Sequence, residues 1–223
     1  MKNILLVFAK YPAKGEVKTR LGAEIGHDNA LKLYTSFVSH IINTMKNHID
    51  VDEIWCAVSP KNKVEAFSSQ FKGATSYFAQ NADASLGTRL RDGISQLLQR
   101  GDNKVVAIGT DSPNMPAENI TAAFKKLDRH DFVLGPALDG GYYLIGQSQM
   151  VESVFNDIEW SSEKVLQQSI SKIKNAGCTY ALLPPFYDID TAQNLKQLMV
   201  DAPDLLNSIT GTEELFQSLR DDS

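Results

Sequence analysis

Short apolar runs alternate along this chain with longer segments whose apolar residues recur at spacings of three and four. The first run, Ile4–Ala9, is apolar throughout, which is typical of a strand covered on both faces. Residues 28–48 follow with helical spacing, and the alternation continues as far as a last predicted helix over residues 191–200. Repeated strand–helix alternation predicts the α/β class, with a mainly parallel sheet and helices on both of its faces.

The length and charge of the chain add further limits. At 223 residues the chain is expected to form a single domain over residues 1–223, with an acidic helical tail from about residue 201. Lys and Arg number 22 against 27 Asp and Glu, and the net charge of −5 argues against nucleic acid or a membrane as partner. The two cysteines imply no disulfide framework, and the first apolar run is too short for a signal peptide, so a cytoplasmic protein is expected.

A basic segment follows the first predicted strand directly. Five Lys or Arg and one acid, Glu16, lie within residues 1–20, so the local charge is 5 − 1 = +4 in an acidic protein. Because ligands of open α/β sheets gather at the carboxyl ends of the strands, this segment lies where a phosphate is expected to bind. It is not a P-loop, since Val17 stands where that motif has a second glycine before Lys18. A solvated surface loop is the alternative interpretation.

Two acidic segments are predicted to reach the same edge of the sheet. Asp111 directly follows a buried β run, and Asp188 and Asp190 follow a later strand. A carboxylate beside bound phosphates repels them unless a cation lies between, and hard oxygen ligands favour Mg²⁺ or Mn²⁺. Ordinary turn chemistry at Asp111 and a helix N-cap at Asp190 or Thr191 are the alternatives.

A glycine pair joins two further predicted strands, residues 132–135 and 142–146. In the connection, Asp139 precedes Gly140 and Gly141. Adjacent glycines let a backbone approach a ligand closely, and Asp139 can accept hydrogen bonds from hydroxyl groups. A plain hairpin turn explains the same residues equally well.

Together, these four segments resemble a known group of bacterial transferases. In order they read F-A-K-x-P-x-x-G-x-V-K-T-R-L, G-T-D-S-P, G-P-A-x-D-G-G-Y-Y-L-I-G and D-I-D-T. The series is similar to the selenodomain-associated transferase family 1 over about residues 3–200. Molybdenum cofactor guanylyltransferase and phospholactate guanylyltransferase are more distant relatives of that family. The resemblance implies a three-layer α/β/α sandwich of the GT-A type, in the nucleotide-diphospho-sugar transferase-like superfamily.

The resemblance also implies roles for particular residues. The expected ligands of Mg²⁺ or Mn²⁺ are Asp111 and Asp190, with Asp188 as the alternative to Asp190. The expected catalytic residues are Lys18, Arg20 and Asp111; the nucleotide is expected on Phe8, Ala9, Lys10, Gly15, Lys18 and Arg20, and a small-molecule acceptor on Asp139, Gly140, Gly141 and Tyr142.

These expectations define a Mg²⁺-dependent nucleotidyltransferase, which moves a nucleotidyl group from a nucleoside triphosphate to a small phosphorylated or hydroxylated acceptor. A GT-A glycosyltransferase that uses a nucleotide-sugar and a nucleotide-binding module without catalysis are the alternatives. The basic loop has a single glycine, Gly15, where the wider nucleotidyltransferases have a glycine-rich loop. Glycosyltransferases of this fold usually have Asp-x-Asp where this chain has Thr110-Asp111-Ser112. The first departure weakens the nucleotidyl interpretation, and the second weakens the sugar interpretation.

Overall fold

The computed structural model describes residues 1–48, 50–81, 83–207, 209 and 211–221. Its strands are β1 (Lys2–Lys10), β2 (Glu53–Ser59), β3 (Ser76–Ala79), β4 (Asn103–Ile108), β5 (Phe132–Pro136), β6 (Tyr142–Gln147) and β7 (Tyr180–Leu182). They form one seven-stranded sheet in the order β3-β2-β1-β4-β6-β5-β7. Strand β6 is antiparallel to β4 and β5, and the remaining neighbours are paired in parallel.

Helices cover both faces of this sheet. They are α1 (Thr19–Ile25), α2 (His27–Lys46), α3 (Val64–Gln70), α4 (Leu86–Leu98), α5 (Ala117–Lys126), α6 (Val165–Asn175), α7 (Ala192–Asp201), α8 (Pro203–Asn207) and α9 (Glu213–Asp221). Because side chains alternate along β1, Leu5 and Val7 pack with α2, α3 and α5, whereas Ile4 and Leu6 pack with α4 and α6. The predicted α/β/α sandwich is therefore confirmed.

A third apolar cluster joins the C-terminal helices to the start of the chain. Leu21 of α1 and Phe37 of α2 lie in it beside Leu195 of α7 and Phe216 of α9. The acidic end of the chain thus contributes buried leucine and phenylalanine side chains to the same body. No helix among the described residues combines the length and the apolar character that crossing a membrane requires.

The first predicted strand, the helices predicted over residues 28–48 and 191–200, and the two strands of the predicted hairpin lie within two residues of their observed bounds. Two other helix starts differ from expectation. The basic segment was expected to be a loop as far as Leu21, but it turns into α1 at Thr19, with Lys18 at the N-cap position and no side-chain cap. From sequence, Ser161 is also expected to cap a helix, but α6 begins at Val165, and Ser161 has a left-handed backbone with φ 63°. Both errors have the same cause, since neither helix begins with the side-chain cap that marks a start in sequence.

Candidate functional site

The site lies where two neighbouring parallel strands end. Strand β1 ends at Lys10 and its partner β4 ends at Ile108, so the chain leaves both strands at the same edge of the sheet. The basic segment after β1 and the Asp111 segment after β4 therefore face one another, as the sequence predicted.

Lys18 lies between two carboxylates at this edge. Its ammonium forms ion pairs with Asp111 and, across 3.0 Å, with Asp190. The side chain of Lys18 is 2% exposed, whereas those of Asp111 and Asp190 are 48% and 45% exposed. The two predicted metal ligands do come together, but the lysine expected to face a phosphate lies between them. We call these three residues the Lys18 cluster.

The Lys18 ammonium is kept charged by its two partners. Burial acts to lower the pKa of Lys18, but the negative charges of Asp111 and Asp190 and their hydrogen bonds outweigh burial and raise it above 10.5. Lys18 is consequently a cation at neutral pH, and it neutralises part of the charge of the two carboxylates.

The backbone of Lys18 is held in an uncommon conformation. Its φ of 47° lies in the left-handed region, which residues other than glycine rarely adopt. The buried side chains of Val17 and Leu21 flank it, and its carbonyl accepts the N–H of Gly22 across 2.7 Å. Such strain persists where the surroundings enforce it and is concentrated at functional sites.

A backbone hydrogen bond sets the position of the second acidic segment. The N–H of Ile189 donates to the carbonyl oxygen of Asp111 across 2.8 Å, and the Ile189 side chain is fully buried. Thr191 is the N-cap of α7, in a capping box with Asn194. Because Thr191 takes the cap, the carboxylate of Asp190 is available to Lys18.

Asp188 lies deeper than Asp190. Ser112 Oγ donates a hydrogen bond to Asp188 Oδ1 across 2.5 Å. Burial raises the pKa of Asp188 to about 6, against the lowering effect of the Ser112 hydrogen bond, and the nearby charge of Asp111 raises it as well. Of the two alternatives for a partner of Asp111, Asp190 is the one that shares a cation with it.

A cleft of about 270 Å³, which we call the loop cleft, opens beside the end of β1. Of the residues predicted to bind a nucleotide, Phe8, Ala9, Lys10 and Lys18 line it, together with Asp111. Gly15 forms a turn with φ 76° outside this lining, and Arg20 faces a different cleft. Several further residues line the loop cleft without having been predicted from sequence, among them Tyr34, Ser59, Gln80 and Arg89.

Two of these missed residues hold the strand ends beneath the loop cleft. The Tyr34 hydroxyl accepts the backbone N–H of Lys10 across 2.8 Å and donates to the Lys10 carbonyl across 2.9 Å. The side-chain amide of Gln80 donates to the carbonyls of Ala9 and Ala57 across 3.0 and 2.7 Å. Burial raises the pKa of Tyr34 to about 12, so this hydroxyl remains protonated. No sequence pattern marks either role. Tyr34, for example, has the spacing of an ordinary apolar-face residue in an amphipathic helix.

A larger cleft of about 550 Å³, the hairpin cleft, lies on the other side of Asp111. Three residues of the predicted acceptor segment belong to its lining, namely Asp139, Gly141 and Tyr142. Arg20 and Asp190 also line it. The segment before α6 forms another wall of this cleft through residues for which the sequence predicts no ligand role, namely Trp160, Ser161, Ser162 and Glu163.

The glycine pair, Gly140 and Gly141, is required for the close packing that shapes the hairpin cleft. Strands β5 and β6 are antiparallel, which confirms the predicted hairpin. Gly140 has φ 90°, and a Cβ there would lie 2.2 Å from the carbonyl oxygen of Glu163. The N–H of Gly141 donates to Asp139 Oδ1 across 2.9 Å, which orients that carboxylate. Gly140 therefore brings the wall before α6 close to the hairpin, and Gly141 orients Asp139.

An aromatic surface completes that wall. Trp160 packs on Gly87 of α4, where a Cβ would lie 2.6 Å from the indole ring. Trp160 also meets Tyr142 edge to face, with ring centroids 6.4 Å apart. The indole is thus held in place by a helix and a strand while it lines the cleft.

The hairpin cleft is strongly acidic. Among the described residues that line it, Arg20 is the cation and five are acids, namely Asp111, Asp139, Glu163, Asp188 and Asp190. A ligand with many hydroxyl groups suits such a lining, because carboxylates accept hydrogen bonds. A second anion is repelled by it.

The Lys18 cluster also has oxygen atoms suited to a divalent cation. In the described part of the chain, no three His, Cys, Asp or Glu side chains come together as a ready-made metal site. Mg²⁺ is nevertheless commonly bound by one or two carboxylates, with water and substrate phosphates as the remaining ligands. Asp111 and Asp190, each about half exposed at the cleft, match that donor set.

The fold is shared with solved structures of nucleotide-diphospho-sugar transferase-like proteins. A crystal structure from Desulfovibrio desulfuricans G20, of a protein provisionally assigned as a nucleotide-diphospho-sugar transferase, is 31% identical with a TM-score of 0.83. The match covers 95% of this chain and 90% of that one. The chain belongs to the family described as "uncharacterized protein conserved in bacteria" (DUF2064), whose profile matches residues 42–162. A search of curated proteins finds no match.

More distant solved structures share the architecture. CMP:2-keto-3-deoxy-manno-octonic acid synthetase, solved with CTP, has a TM-score of 0.60 at 13% identity, over 93% of this chain and 100% of that one. A nucleotidyl transferase from Methanothermobacter thermautotroptrophicus has a TM-score of 0.60 at 12% identity, over 93% and 99% of the two chains. At these identities the likeness is one of fold alone.

Proposed function

We propose that this protein transfers a sugar from a nucleotide-sugar to a small hydroxylated acceptor. The observation that carries the proposal is that Asp111 lines both the loop cleft and the hairpin cleft. A nucleotide in the loop cleft would direct its diphosphate past Asp111, and the attached sugar would enter the hairpin cleft. The nucleotide-sugar assignment of the 31% identical relative supports the same class of donor.

The lining of the hairpin cleft favours a sugar over a phosphorylated acceptor. Asp139 and Glu163 can accept hydrogen bonds from hydroxyl groups, and Trp160 offers an aromatic surface for the apolar face of a sugar ring. A phosphorylated acceptor would bring a second anion among five carboxylates. Because of these carboxylates we propose glycosyl transfer in preference to the nucleotidyl transfer expected from sequence.

In this proposal each side chain has a defined task. Arg20 pairs with the diphosphate, and Asp111 and Asp190 would hold Mg²⁺ or Mn²⁺, which when bound stabilises the negative charge of the departing nucleoside diphosphate. The bond between the anomeric carbon and the diphosphate oxygen breaks, and the acceptor oxygen bonds to that carbon. The acceptor proton passes to Asp139, whose carboxylate is oriented by the Gly141 N–H.

Nucleotidyl transfer from a triphosphate is the second candidate. Lys10 and Arg89 line the loop cleft and Arg20 lines the hairpin cleft, so cations lie on both sides of Asp111 for the phosphates of a triphosphate. Its acceptor would be an uncharged hydroxyl compound, for the reason of charge given above.

The identity of the released product separates the candidates. The protein is incubated with a panel of nucleotide-sugars and nucleoside triphosphates, with Mg²⁺ or Mn²⁺ and small polyols. Free nucleoside diphosphate from a nucleotide-sugar supports glycosyl transfer, and pyrophosphate from a triphosphate supports nucleotidyl transfer. Nucleotide binding in a thermal-shift assay without either product would support a binding module and contradict both enzymes.

The role of Asp139 is tested separately with a matched control. Asp139→Asn is expected to lower the rate of transfer by about 100-fold or more, the usual range for loss of a general base, with donor affinity little changed. Asp92→Asn is the control, because Asp92 is an exposed acid of α4 that pairs with the adjacent Arg91. Full activity of Asp139→Asn would contradict the assignment of the base.

A further inference from the structure

We propose that Lys18 and a divalent cation compete for the same pair of carboxylates, so that the Lys18 ammonium occupies the metal site until metal binding displaces it. The proposal rests on the proposed function in one respect: the nucleotide-sugar is the ligand that the bound metal would serve. It is tested below with the metal alone, so that it can fail independently of any transfer reaction.

The contacts of Lys18 leave little room for a second cation between the two acids. Its ammonium is within ion-pair distance of both Asp111 and Asp190 and is almost fully buried. The backbone link from Ile189 to Asp111 holds the two acidic segments together. A cation that bridges these carboxylates therefore has to take the position of the Lys18 ammonium.

The charges of the Lys18 cluster favour one bound cation over two. With Lys18 in place, two carboxylates and one ammonium sum to −1. A divalent cation in its place brings the sum to zero, whereas both cations together would bring it to +1 and would repel each other at close range. Exchange of one cation for the other is therefore favoured over joint occupancy.

The Lys18 ammonium can move into the loop cleft when it leaves the two carboxylates. Its backbone is held by the buried side chains of Val17 and Leu21, but its four-carbon stem can rotate. Lys18 also lines the loop cleft, where the phosphates of a nucleotide are proposed to lie. Displacement would thus move one positive charge from the acids to the donor phosphates, which couples metal binding to donor binding.

Mn²⁺ binding without any nucleotide tests the competition. Mn²⁺ is titrated into the full chain and followed by electron paramagnetic resonance, for the wild type, Lys18→Met and Lys14→Met. Lys14 is the matched control, because it lies in the same segment but pairs with Asp28 across 2.7 Å. We expect Lys18→Met to bind Mn²⁺ at least tenfold more tightly than the wild type, and Lys14→Met to bind it within twofold of the wild type. Adding Asp111→Asn to Lys18→Met should abolish the gain.

Two results of this titration would overturn the proposal. One is Mn²⁺ binding by Lys18→Met that is no tighter than that of the wild type. The other is the absence of Mn²⁺ binding in both proteins.

A measurement on the unmodified chain guards against misfolding of the variant. Lys18 is nearly inaccessible, so an amine-reactive acetylating reagent should label it slowly, whereas Lys14, with 61% of its side chain exposed, reacts readily. Saturating Mn²⁺ should increase the labelling of Lys18 severalfold, as read by mass spectrometry of peptides, without changing that of Lys14. Unchanged labelling of Lys18 under saturating Mn²⁺ would refute the exchange.

Discussion

The backbone N–H of Ile189 donates a hydrogen bond to the carbonyl oxygen of Asp111 across 2.8 Å. This bond joins the segment after β4 to the segment before α7, and so fixes the two carboxylates of the Lys18 cluster relative to each other. The Ile189 side chain lies in the apolar cluster built by α1, α2 and the C-terminal helices. The relative position of the two carboxylates therefore depends on the packing of this apolar cluster, which lies away from the cleft surface.

Replacing Ile189 by Ala should loosen this link. We expect a loss of about 2–4 kcal/mol in the free energy of unfolding, typical of a buried isoleucine, measured by urea denaturation. Mn²⁺ affinity should fall as well. Leu198→Ala is the control, because Leu198 is equally buried in the same cluster but lies within α7. An equal loss of Mn²⁺ affinity in both variants would show that Ile189 has no particular role in positioning the acids.

Alanine at Gly140 should be far more harmful than alanine at Gly15. Both glycines have positive φ, at 90° and 76°, so each substitution costs about 1 kcal/mol in backbone strain. At Gly140 the new Cβ would also lie 2.2 Å from the carbonyl oxygen of Glu163, whereas no atom lies within 4 Å at Gly15. Thermal denaturation should therefore show at least twice the destabilisation for Gly140→Ala. Equal melting temperatures would contradict the close packing of the hairpin on the wall before α6.

Tyr34→Phe should weaken both the fold and the binding of a donor. Loss of the hydroxyl leaves the Lys10 N–H and carbonyl without their partner, at a cost of about 1–3 kcal/mol in unfolding free energy. Tyr77→Phe removes a hydroxyl that accepts the N–H of Ala74 across 3.2 Å and also contacts the Phe71 carbonyl. Calorimetric titration with the nucleotide-sugar or triphosphate that is active in the product assay should show weaker affinity only for Tyr34→Phe. Weaker affinity in both variants would indicate a general effect of lost stability.

Asp131→Asn should show a pH-dependent effect on stability. The backbone N–H and the hydroxyl of Thr179 both donate to this carboxylate across 2.7 Å, and these hydrogen bonds lower the pKa of Asp131 below 3.8. A carboxylate with a lowered pKa in the folded state stabilises the fold above its unfolded pKa, and that contribution is lost as the pH falls through the folded pKa. Urea denaturation should show a loss of about 1 kcal/mol at pH 7 and a smaller loss at pH 3. The same loss at both values would argue against an ionic contribution.

Much of the fold was predictable because its signals are local. The continuous apolar run of β1 and the helical spacing of α2 and α4 reflect burial, which each segment shows in its own residues. The start of α1 was missed because Lys18 has a left-handed backbone and makes no side-chain cap, so the usual sequence signal of a helix start is lacking. Trp160 was missed for a related reason, since its place in the hairpin cleft depends on packing against Gly87 of another helix.

The sequence by itself determined the α/β architecture, the hairpin between β5 and β6, and the sheet edge at which Asp111, Asp190 and the basic segment meet. The ends of the strands follow from the apolar runs, and the carboxyl-edge rule placed these residues at one rim of the sheet. Only the tertiary structure decided how their charges pair. Lys18 lies between two acids instead of facing solvent because the buried Val17, Leu21 and Ile189 orient its segment and theirs. That arrangement depends on side-chain packing between segments far apart in the chain, which no local pattern contains.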